Sequence, residues 1–221
     1  MGLNAEMLNQ HACYFGGGTA IAMKCDEFRE SVDMDFMVSD LTCYRQLRMA
    51  LQAPNLLADL FGVGRGPLSQ LPEIRADQYG IRTRLHLPGT TIKFEIVFEA
   101  RIEFDQPGAD DQIAGIVTLT EIDLVASKLL ANVDRWADPS VMNRDVIDLA
   151  MLQPGIETWQ KGLKKAESAY GDAVAEALSK AQAHLLDDTE RLARCLQALK
   201  ITCPLALVYQ RIQGIDSNGI G

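Results

Sequence analysis

The sequence lacks the features of secreted, membrane and zinc proteins. It contains 5 cysteines, an odd number with no C-x-x-C pair, and 3 histidines that form no H-E-x-x-H motif. No apolar run approaches the ~18 residues that a membrane-spanning helix requires, and the start, MGLNAEMLNQ, has neither segment of a signal peptide. We therefore expect reduced thiols, no structural zinc, no membrane partner and a cytoplasmic protein.

Positive charge is also scarce. The chain has 21 lysines and arginines against 30 aspartates and glutamates, which gives a formal net charge of -9. A protein that coats nucleic acid neutralises phosphates with a basic surface, so this balance argues against such a protein while leaving room for a local basic groove. With 48% hydrophobic and 23% charged residues in 221, the chain has the composition of a globular protein of one large domain or two lobes.

The pattern of apolar residues changes near residue 118. Residues 1–118 mix short helical and strand-like segments, whereas the pattern over 119–221 indicates one helix after another. We predict an α/β (α+β) lobe with a mixed sheet over 1–118 and an all-helical lobe over 119–221, with the active site in the cleft between them.

Local signals predict the elements of each lobe. In the first lobe we predict strands at 12–15, 31–38 and 91–104, helices at 19–28 and 42–52, a hairpin around Gly80 and a glycine-rich loop at 61–67. In the second lobe we predict helices at 120–133, 139–151, 156–169, 172–186, 188–200 and 204–213. Asp138 and Pro139 supply the N-cap and the first residue of the second of these helices.

Three polar features of the first lobe occur in an order that suits phosphate chemistry. The glycine run 16–18 precedes a predicted helix, where bare backbone N–H groups donate to phosphate oxygens and the Thr19 hydroxyl adds a donor. Asp33 and Asp35 are two residues apart on a strand and project from the same face. Glu95 lies on a second strand with a polar face, and the three carboxylates converge if the two strands are neighbours.

A cluster of three carboxylates requires neutralising cations. Two carboxylates about 4 Å apart repel each other by ~4 kcal/mol at an effective dielectric constant near 20. Hard oxygen ligands select Mg²⁺ or Mn²⁺, and a pair of such ions supports in-line displacement of pyrophosphate. We therefore predict Asp33, Asp35 and Glu95 as ligands of Mg²⁺ or Mn²⁺. Taken alone, the aspartate pair has an alternative interpretation as a solvated strand edge.

This order of motifs resembles the DNA polymerase β-type nucleotidyltransferase superfamily, in which a glycine turn is followed by D-h-D and a third acidic strand residue. More narrowly, the sequence resembles the AbiEii-like nucleotidyltransferase toxins, whose R-x-S-x-D-h-D-F stretch is matched by Arg29, Ser31, Asp33, Asp35 and Phe36. The resemblance covers about residues 10–150. In the helical lobe a lysine helix, an arginine and an R-D-x-x-D helix are matched by Lys128, Arg135, Arg144, Asp145 and Asp148.

The resemblance implies metal-dependent transfer of a nucleoside monophosphate from an NTP to an acceptor. Asp33 and Asp35 would hold the metals, Glu95 would orient and deprotonate the acceptor hydroxyl, and Lys128 would clamp the triphosphate. The remaining nucleotide-binding residues would be Gly17, Gly18, Thr19, Ser31, Arg135, Asp145 and Asp148. The resemblance also implies the toxin of a bacterial toxin–antitoxin or phage-defence pair, with tRNA as an acceptor and a cognate antitoxin protein as a partner.

Other interpretations of the same residues stay open. The protein could nucleotidylate a small molecule such as an antibiotic, or it could be a non-catalytic interaction module. Lys128 could be a solvated lysine, and Arg144 with Asp148 could form a structural i,i+4 pair. Candidate contacts to a polyanion are Arg75, Arg82 and Arg84 on the hairpin and Lys161, Lys164 and Lys165 on a helix, which could instead balance neighbouring acids.

Overall fold

The computed structural model describes residues 2–63, 68, 70–216 and 219–220. The chain forms two compact units, the first comprising Met1–Ala20 and Val32–Thr120 and the second Ile21–Ser31 and Glu121–Gly221. In the described part of the chain, no helix combines the length and apolarity needed to cross a membrane. Of the predicted glycine-rich loop, residues 64–67 lie outside the described residues.

A five-stranded mixed sheet forms the basis of the first unit. Its strands are β1 (Tyr14–Gly16), β2 (Met34–Val38), β3 (Ile74–Ala76), β4 (Gly80–Leu87) and β5 (Thr90–Phe98), and a separate short pair is β6 (Gln112–Ile113) with β7 (Ile116–Val117). The strand order is β1-β2-β5-β4-β3, in which β2 is parallel to β5 and the other neighbouring pairs are antiparallel. This mixed sheet confirms the predicted α/β lobe.

One face of the sheet is apolar and is covered by helices. Phe94 and Ile96 of β5 are fully buried on this face, because alternate residues of a strand point the same way. Tyr44 stacks on Phe98 at 5.1 Å between ring centroids, and Phe61 meets Phe94 edge-on at 4.9 Å. Tyr44 and Phe61 belong to two helices that cover this face. The helices of this unit are α1 (Ala5–Gln10), the start of α2 (Gly17–Lys24), α3 (Leu41–Ala50), which contains Tyr44, and α4 (Pro54–Phe61), which ends at Phe61.

The second unit is helical, as the sequence predicts, but it ends in a two-stranded pair that the prediction of an all-helical lobe does not include. Its core contains the fully buried Trp159, and Gly162 lets α7 (Ile156–Tyr170) approach α5 (Glu121–Arg135) closely, since a Cβ there would lie 2.6 Å from Val125 Cγ1. Its elements are α5 (Glu121–Arg135), α6 (Arg144–Leu152), α7 (Ile156–Tyr170), α8 (Ala173–Leu186), α9 (Thr189–Ala198), α10 (Leu205–Gln213), β8 (Ile215–Asp216) and β9 (Gly219–Ile220).

The helix predicted at 139–151 is interrupted in the structure. A single 3₁₀ turn (Pro139–Val141) is capped by the Asp138 side chain, and α6 begins only at Arg144. Between them Met142 and Asn143 adopt left-handed backbone angles, with φ of 53° and 49°. The Asn143 amide donates to the Trp136 carbonyl and accepts from Arg191, so side-chain hydrogen bonds stabilise a break that apolar periodicity does not encode.

Candidate active site

The polar face of the sheet carries the predicted carboxylates. Asp35 of β2 is in register with Gly16 of β1 on one side and with Glu95 of β5 on the other. Asp33 precedes β2 by one residue and lies two residues from Asp35, so it belongs to the same face. The two acidic strands are therefore neighbours within the first unit, which is the arrangement on which convergence of the carboxylates depends.

Glu95 is bound by two cationic side chains. Its Oε1 accepts from Arg82 Nε at 2.6 Å, and its Oε2 lies 2.7 Å from Lys93 Nζ. Burial alone would raise the pKa of Glu95, but the hydrogen bonds and charges of Lys93 and Arg82 hold it below the ordinary value. Glu95 is therefore ionised at neutral pH.

The expected convergence of three carboxylates into a metal cluster is not seen among the described residues. No group of three or more His, Cys, Asp or Glu side chains in that part of the chain is close enough to hold an ion. Glu95 is held instead by Lys93 and Arg82. Asp33 and Asp35 remain as hard oxygen donors on one face, and the metal site stays a prediction.

The negative field of the aspartates reaches the next strand. Lys93 has a raised pKa, caused first by its hydrogen bond to Glu95 and then by the charges of Glu95, Asp35 and Asp33. This electrostatic coupling agrees with the shared face. It also shows that Lys93 balances part of the charge of the aspartate pair.

The glycine turn lies directly against Asp35. Gly17 has a φ of +67°, and a Cβ built on it would lie 2.7 Å from Asp35 Oδ2 and 2.8 Å from Asp35 Cβ. Only glycine fits both the backbone angle and the space. Helix α2 starts at Gly17, so the first turn of the helix lies beside the carboxylate strand.

Thr19 also has a structural role that the sequence does not reveal. Its hydroxyl donates to the backbone carbonyl of Asp33, a residue fourteen positions further along the chain. The bond fixes the start of β2 against the start of α2. The predicted role of Thr19 in binding phosphate stays a prediction. Because its hydroxyl already donates to Asp33, Thr19 would bind phosphate through its backbone N–H.

The predicted helical residues meet in a buried ion-pair network of the second unit. Lys128 Nζ lies 2.9 Å from Asp145 Oδ1 and 2.6 Å from Asp148 Oδ2. Arg135 Nε donates to Asp145 Oδ2 at 2.7 Å, and Arg29 donates to both oxygens of Asp148 at 2.7 and 3.0 Å. Because Lys128 is only 5% exposed, the alternative interpretation of it as a solvated lysine is wrong.

The network fixes the ionisation of its members. Burial alone would lower the pKa of Lys128, but the charges of Asp145 and Asp148 raise it above the ordinary value. Burial would raise the pKa of Asp145, whereas Lys128 and Arg135 hold it far below 3.8. Asp148 is paired with Arg29 and Lys128, so its carboxylate is satisfied without Arg144.

The segment Ile21–Ser31 belongs to this unit through several contacts. Besides Arg29, the carbonyl of Phe28 accepts from Thr202 N at 2.9 Å and from the Thr202 hydroxyl at 3.2 Å. Ser31 ends the segment and is half-buried. Its nucleotide-binding role, like those of the network residues, stays a prediction.

The candidate polyanion contacts fall into two groups. Arg75, Arg82 and Arg84 line one open groove of the first unit. On α7, Lys165 is 2.6 Å from the buried Asp123 and Lys161 is 2.6 Å from Glu157. Those two lysines therefore balance neighbouring acids, as the alternative interpretation holds.

Sequence reasoning missed the cations that surround Glu95 and Asp148. Lys93 and Glu95 are two residues apart on one strand, so period-2 alternation was a sufficient signal for their pairing. Arg82 required the register of β4 on β5, and the pairing of Arg29 with Asp148 spans 119 residues. No local pattern indicates these last two contacts.

The glycine turn, the aspartate strand beside it and the mixed sheet define a nucleotidyltransferase fold. The sequence model of the family described as "Nucleotidyl transferase AbiEii toxin, Type IV TA system" matches residues 4–202. The chain belongs to this AbiEii toxin family and is a nucleotidyltransferase.

Two solved structures are similar over most of the chain. JHP933 from Helicobacter pylori is 17% identical, with a TM-score of 0.51, and the alignment covers 95% of this chain and 85% of that one. A candidate nucleotidyltransferase from H. pylori is also 17% identical, with a TM-score of 0.49 and coverage of 96% and 93%. At this identity the likeness to JHP933 confirms the fold alone. No curated protein matches the chain significantly.

Proposed function

We propose that this nucleotidyltransferase transfers a nucleoside monophosphate from an NTP to a hydroxyl group of RNA, with tRNA as the acceptor that the family resemblance implies. The observation that carries the proposal is the contact between the Gly17 turn and Asp35, on a strand in register with Glu95. A helix N-terminus beside two carboxylates is the combination that a triphosphate and its divalent ion require. As a toxin of this family, the protein would have a cognate antitoxin as its partner.

The donor set of the first unit fits a divalent ion. Asp33 and Asp35 offer hard oxygens on one face, and the glycine turn lies directly against Asp35. These two residues would hold Mg²⁺ or Mn²⁺, which when bound activates the attacking oxygen and neutralises charge on the leaving pyrophosphate. The N–H groups of the first turn of α2 would donate to the phosphate oxygens.

Glu95 would act on the acceptor. Because Arg82 and Lys93 hold it in its ionised form and fix both of its oxygens, it can accept a hydrogen bond from the acceptor hydroxyl and orient it for attack. Its lowered pKa makes Glu95 a weak base, so orientation of the hydroxyl is the role that its contacts support, and deprotonation by Glu95 stays a prediction.

The second unit would contribute to binding the nucleotide. Its network contains the cations Lys128, Arg135 and Arg29 against two carboxylates, which leaves one net positive charge. Arg135, with a side chain 33% exposed, is the most accessible of the three cations. A surplus positive charge in a largely buried setting favours binding of an anionic triphosphate.

The test is incorporation of labelled NTP. Purified protein is incubated with each labelled NTP, Mg²⁺ and total RNA, and the RNA is separated from small molecules. We expect label in the RNA, loss of labelling by more than 100-fold in Asp33→Asn and Asp35→Asn, and full labelling in the control Asp110→Asn, an exposed carboxylate outside the sheet. Removing one charge of the aspartate pair relieves repulsion, so both active-site variants should unfold no earlier than the wild type without metal.

Three results would contradict the proposal. Equal labelling by wild type and Asp35→Asn under saturating Mg²⁺ would exclude the aspartate site. Label confined to small hydroxylated compounds would establish a small-molecule transferase. Absence of metal-dependent NTP binding would establish a non-catalytic module.

A further inference from the structure

Basic side chains continue the polar face of the sheet beyond the carboxylates. Asp35, Glu95, Arg82 and Arg75 are in register across four neighbouring strands, β2, β5, β4 and β3. Two residues further along the same face, Lys93 of β5 is in register with Arg84 of β4. We call the following set the basic strip: Arg75, Arg82, Arg84, His86 and Lys93.

The strip lines an open groove. The groove has a volume of about 670 Å³, and its other lining residues are Thr83, residue 68 and residues 70–73. Glu73 is the one acidic residue among the described residues that line it. Arg82 and Lys93 are paired with Glu95, so Arg75 and Arg84 supply the positive charge of the groove that has no acidic partner among the described residues.

Acidic side chains balance two members of the strip. Arg82 pairs with Glu95 and Asp77, and Lys93 pairs with Glu95. Within the described residues Arg75 and Arg84 form no ion pair, and both are exposed. Arg75 lies directly opposite Arg82, and Arg84 directly opposite Lys93, and like charges in directly opposed cross-strand positions destabilise a sheet. Arg75 and Arg84 are therefore the cations of the strip that a ligand with negative charge would satisfy.

The position of the strip indicates which anion it binds. Adjacent strands are about 4.8 Å apart, so Arg82 and Arg75 lie roughly 10 and 14 Å from Asp35 across the sheet. A series of guanidinium groups at that distance suits successive phosphates of a chain and exceeds the reach of a small acceptor.

We propose that the basic strip binds the phosphate backbone of a single-stranded RNA acceptor, roughly 10–14 Å from the aspartate pair. This inference rests on the proposed function, since it takes the acceptor to be RNA. Arg75 and Arg84 would contact the RNA without taking part in the transfer reaction, because neither touches Glu95 or the aspartates. Arg82 and Lys93 connect the strip to Glu95.

The test measures binding without NTP or metal, so that it does not depend on transfer. A fluorescent 12-nucleotide RNA and a dinucleotide are titrated with wild type, Arg75→Gln/Arg84→Gln and Arg75→Glu/Arg84→Glu. The matched control is Arg45→Glu/Arg194→Glu, which makes the same charge change at exposed residues of α3 and α9.

We expect graded weakening of binding to the 12-nucleotide RNA, about 10-fold in the glutamine variant and 100-fold or more in the glutamate variant. The log–log salt slope should fall by about 1.4 in the glutamine variant, because each phosphate contact on a single strand contributes ~0.7. The control variant and the dinucleotide should show less than a threefold change. Thermal stability of the glutamate variant should hold or rise, since Arg75→Glu and Arg84→Glu turn repulsive cross-strand pairs into attractive ones.

The outcomes separate this inference from the proposed function. Equal weakening in the strip and control variants, or no binding of wild type to the RNA at low salt, would overturn the inference. Binding that depends on the strip without any nucleotide transfer would support the strip and overturn the proposed function. Transfer to RNA that is unchanged in the glutamate variant would support the function and overturn the strip.

Discussion

At the scale of single residues, Gly17 connects backbone geometry with the site. Its positive φ and the 2.7 Å approach of a built Cβ to Asp35 Oδ2 are independent constraints, and either one disfavours a side chain. Gly89 provides the comparison, because its φ of +81° imposes the same backbone constraint while a Cβ there would meet nothing within 4 Å. Alanine variants of the two glycines therefore distinguish the effect of backbone strain from the effect of displacing the Asp35 carboxylate.

We predict that Gly17→Ala lowers the transfer rate by about 100-fold or more, because misplacing a reacting group by 1 Å costs a factor of that size. Gly89→Ala should keep the wild-type rate. Both variants should lose roughly 1–2 kcal/mol of unfolding free energy from the left-handed angle, with Gly17→Ala losing more through the clash. Single-turnover rates and urea unfolding check this, and equal rates in the two alanine variants would contradict it.

At the scale of elements, buried ion pairs join Arg29 of the 21–31 segment to α5 and α6. Asp148 is fully buried and accepts from Arg29 and Lys128, so its loss would leave Arg29 without its carboxylate and Lys128 with Asp145 alone. Removing one member of a buried pair typically costs about 3–5 kcal/mol, whereas an exposed i,i+4 pair contributes a few tenths. The network therefore holds these elements together far more strongly than the surface pairs of α7 and α8 do.

Asp148→Asn should accordingly lower the free energy of unfolding by about 3–5 kcal/mol. The control is Glu157→Gln, which removes an exposed partner of Lys161 and should change stability by less than ~0.5 kcal/mol. Chemical unfolding followed by circular dichroism provides the measurement. Similar losses in the two variants would show that burial of the network does not determine its strength.

How far the sequence predicts these elements depends on the range of the interaction. Period-2 alternation places Asp33 and Asp35 on one face, and the predicted helices at 156–169 and 172–186 match α7 and α8 within a residue or two. The helix break at Asn143 depends on side-chain hydrogen bonds to Trp136 and Arg191, which apolar periodicity does not contain. The short helices α1 and α4 lack a pattern long enough to predict.

At the scale of the whole molecule, the assignment of segments to units is the feature least visible in the sequence. A change of pattern near residue 118 indicates two lobes, but the contact of Arg29 with Asp148 joins residues 119 positions apart. The same applies to the basic strip, whose members come from three strands and meet only through their register. Charge composition alone suggests an acidic protein and conceals this local positive surface.

Acid sensitivity of the whole fold follows from its ion pairs. The folded pKa of Asp145 is held below the ordinary 3.8 by Lys128 and Arg135 against the opposing effect of burial. The unfolded chain therefore binds more protons than the folded one in this range, so stability rises with pH there. The contribution of Asp145 is complete above pH 3.8 and is lost as the pH falls through its folded pKa.

We predict that the unfolding free energy of the wild type declines below about pH 4, by up to ~1.4 kcal/mol per pH unit for each proton taken up on unfolding. Asp145→Asn should be less stable at pH 7 because it breaks the buried network. Its stability should depend less steeply on pH below 4, because the variant lacks the carboxylate that takes up a proton on unfolding. Asp110→Asn, at an exposed carboxylate outside the sheet, is the control and should keep the wild-type slope. Urea unfolding between pH 3 and 7 measures both quantities, and identical slopes in Asp145→Asn and the wild type would show that the network does not set the acid response.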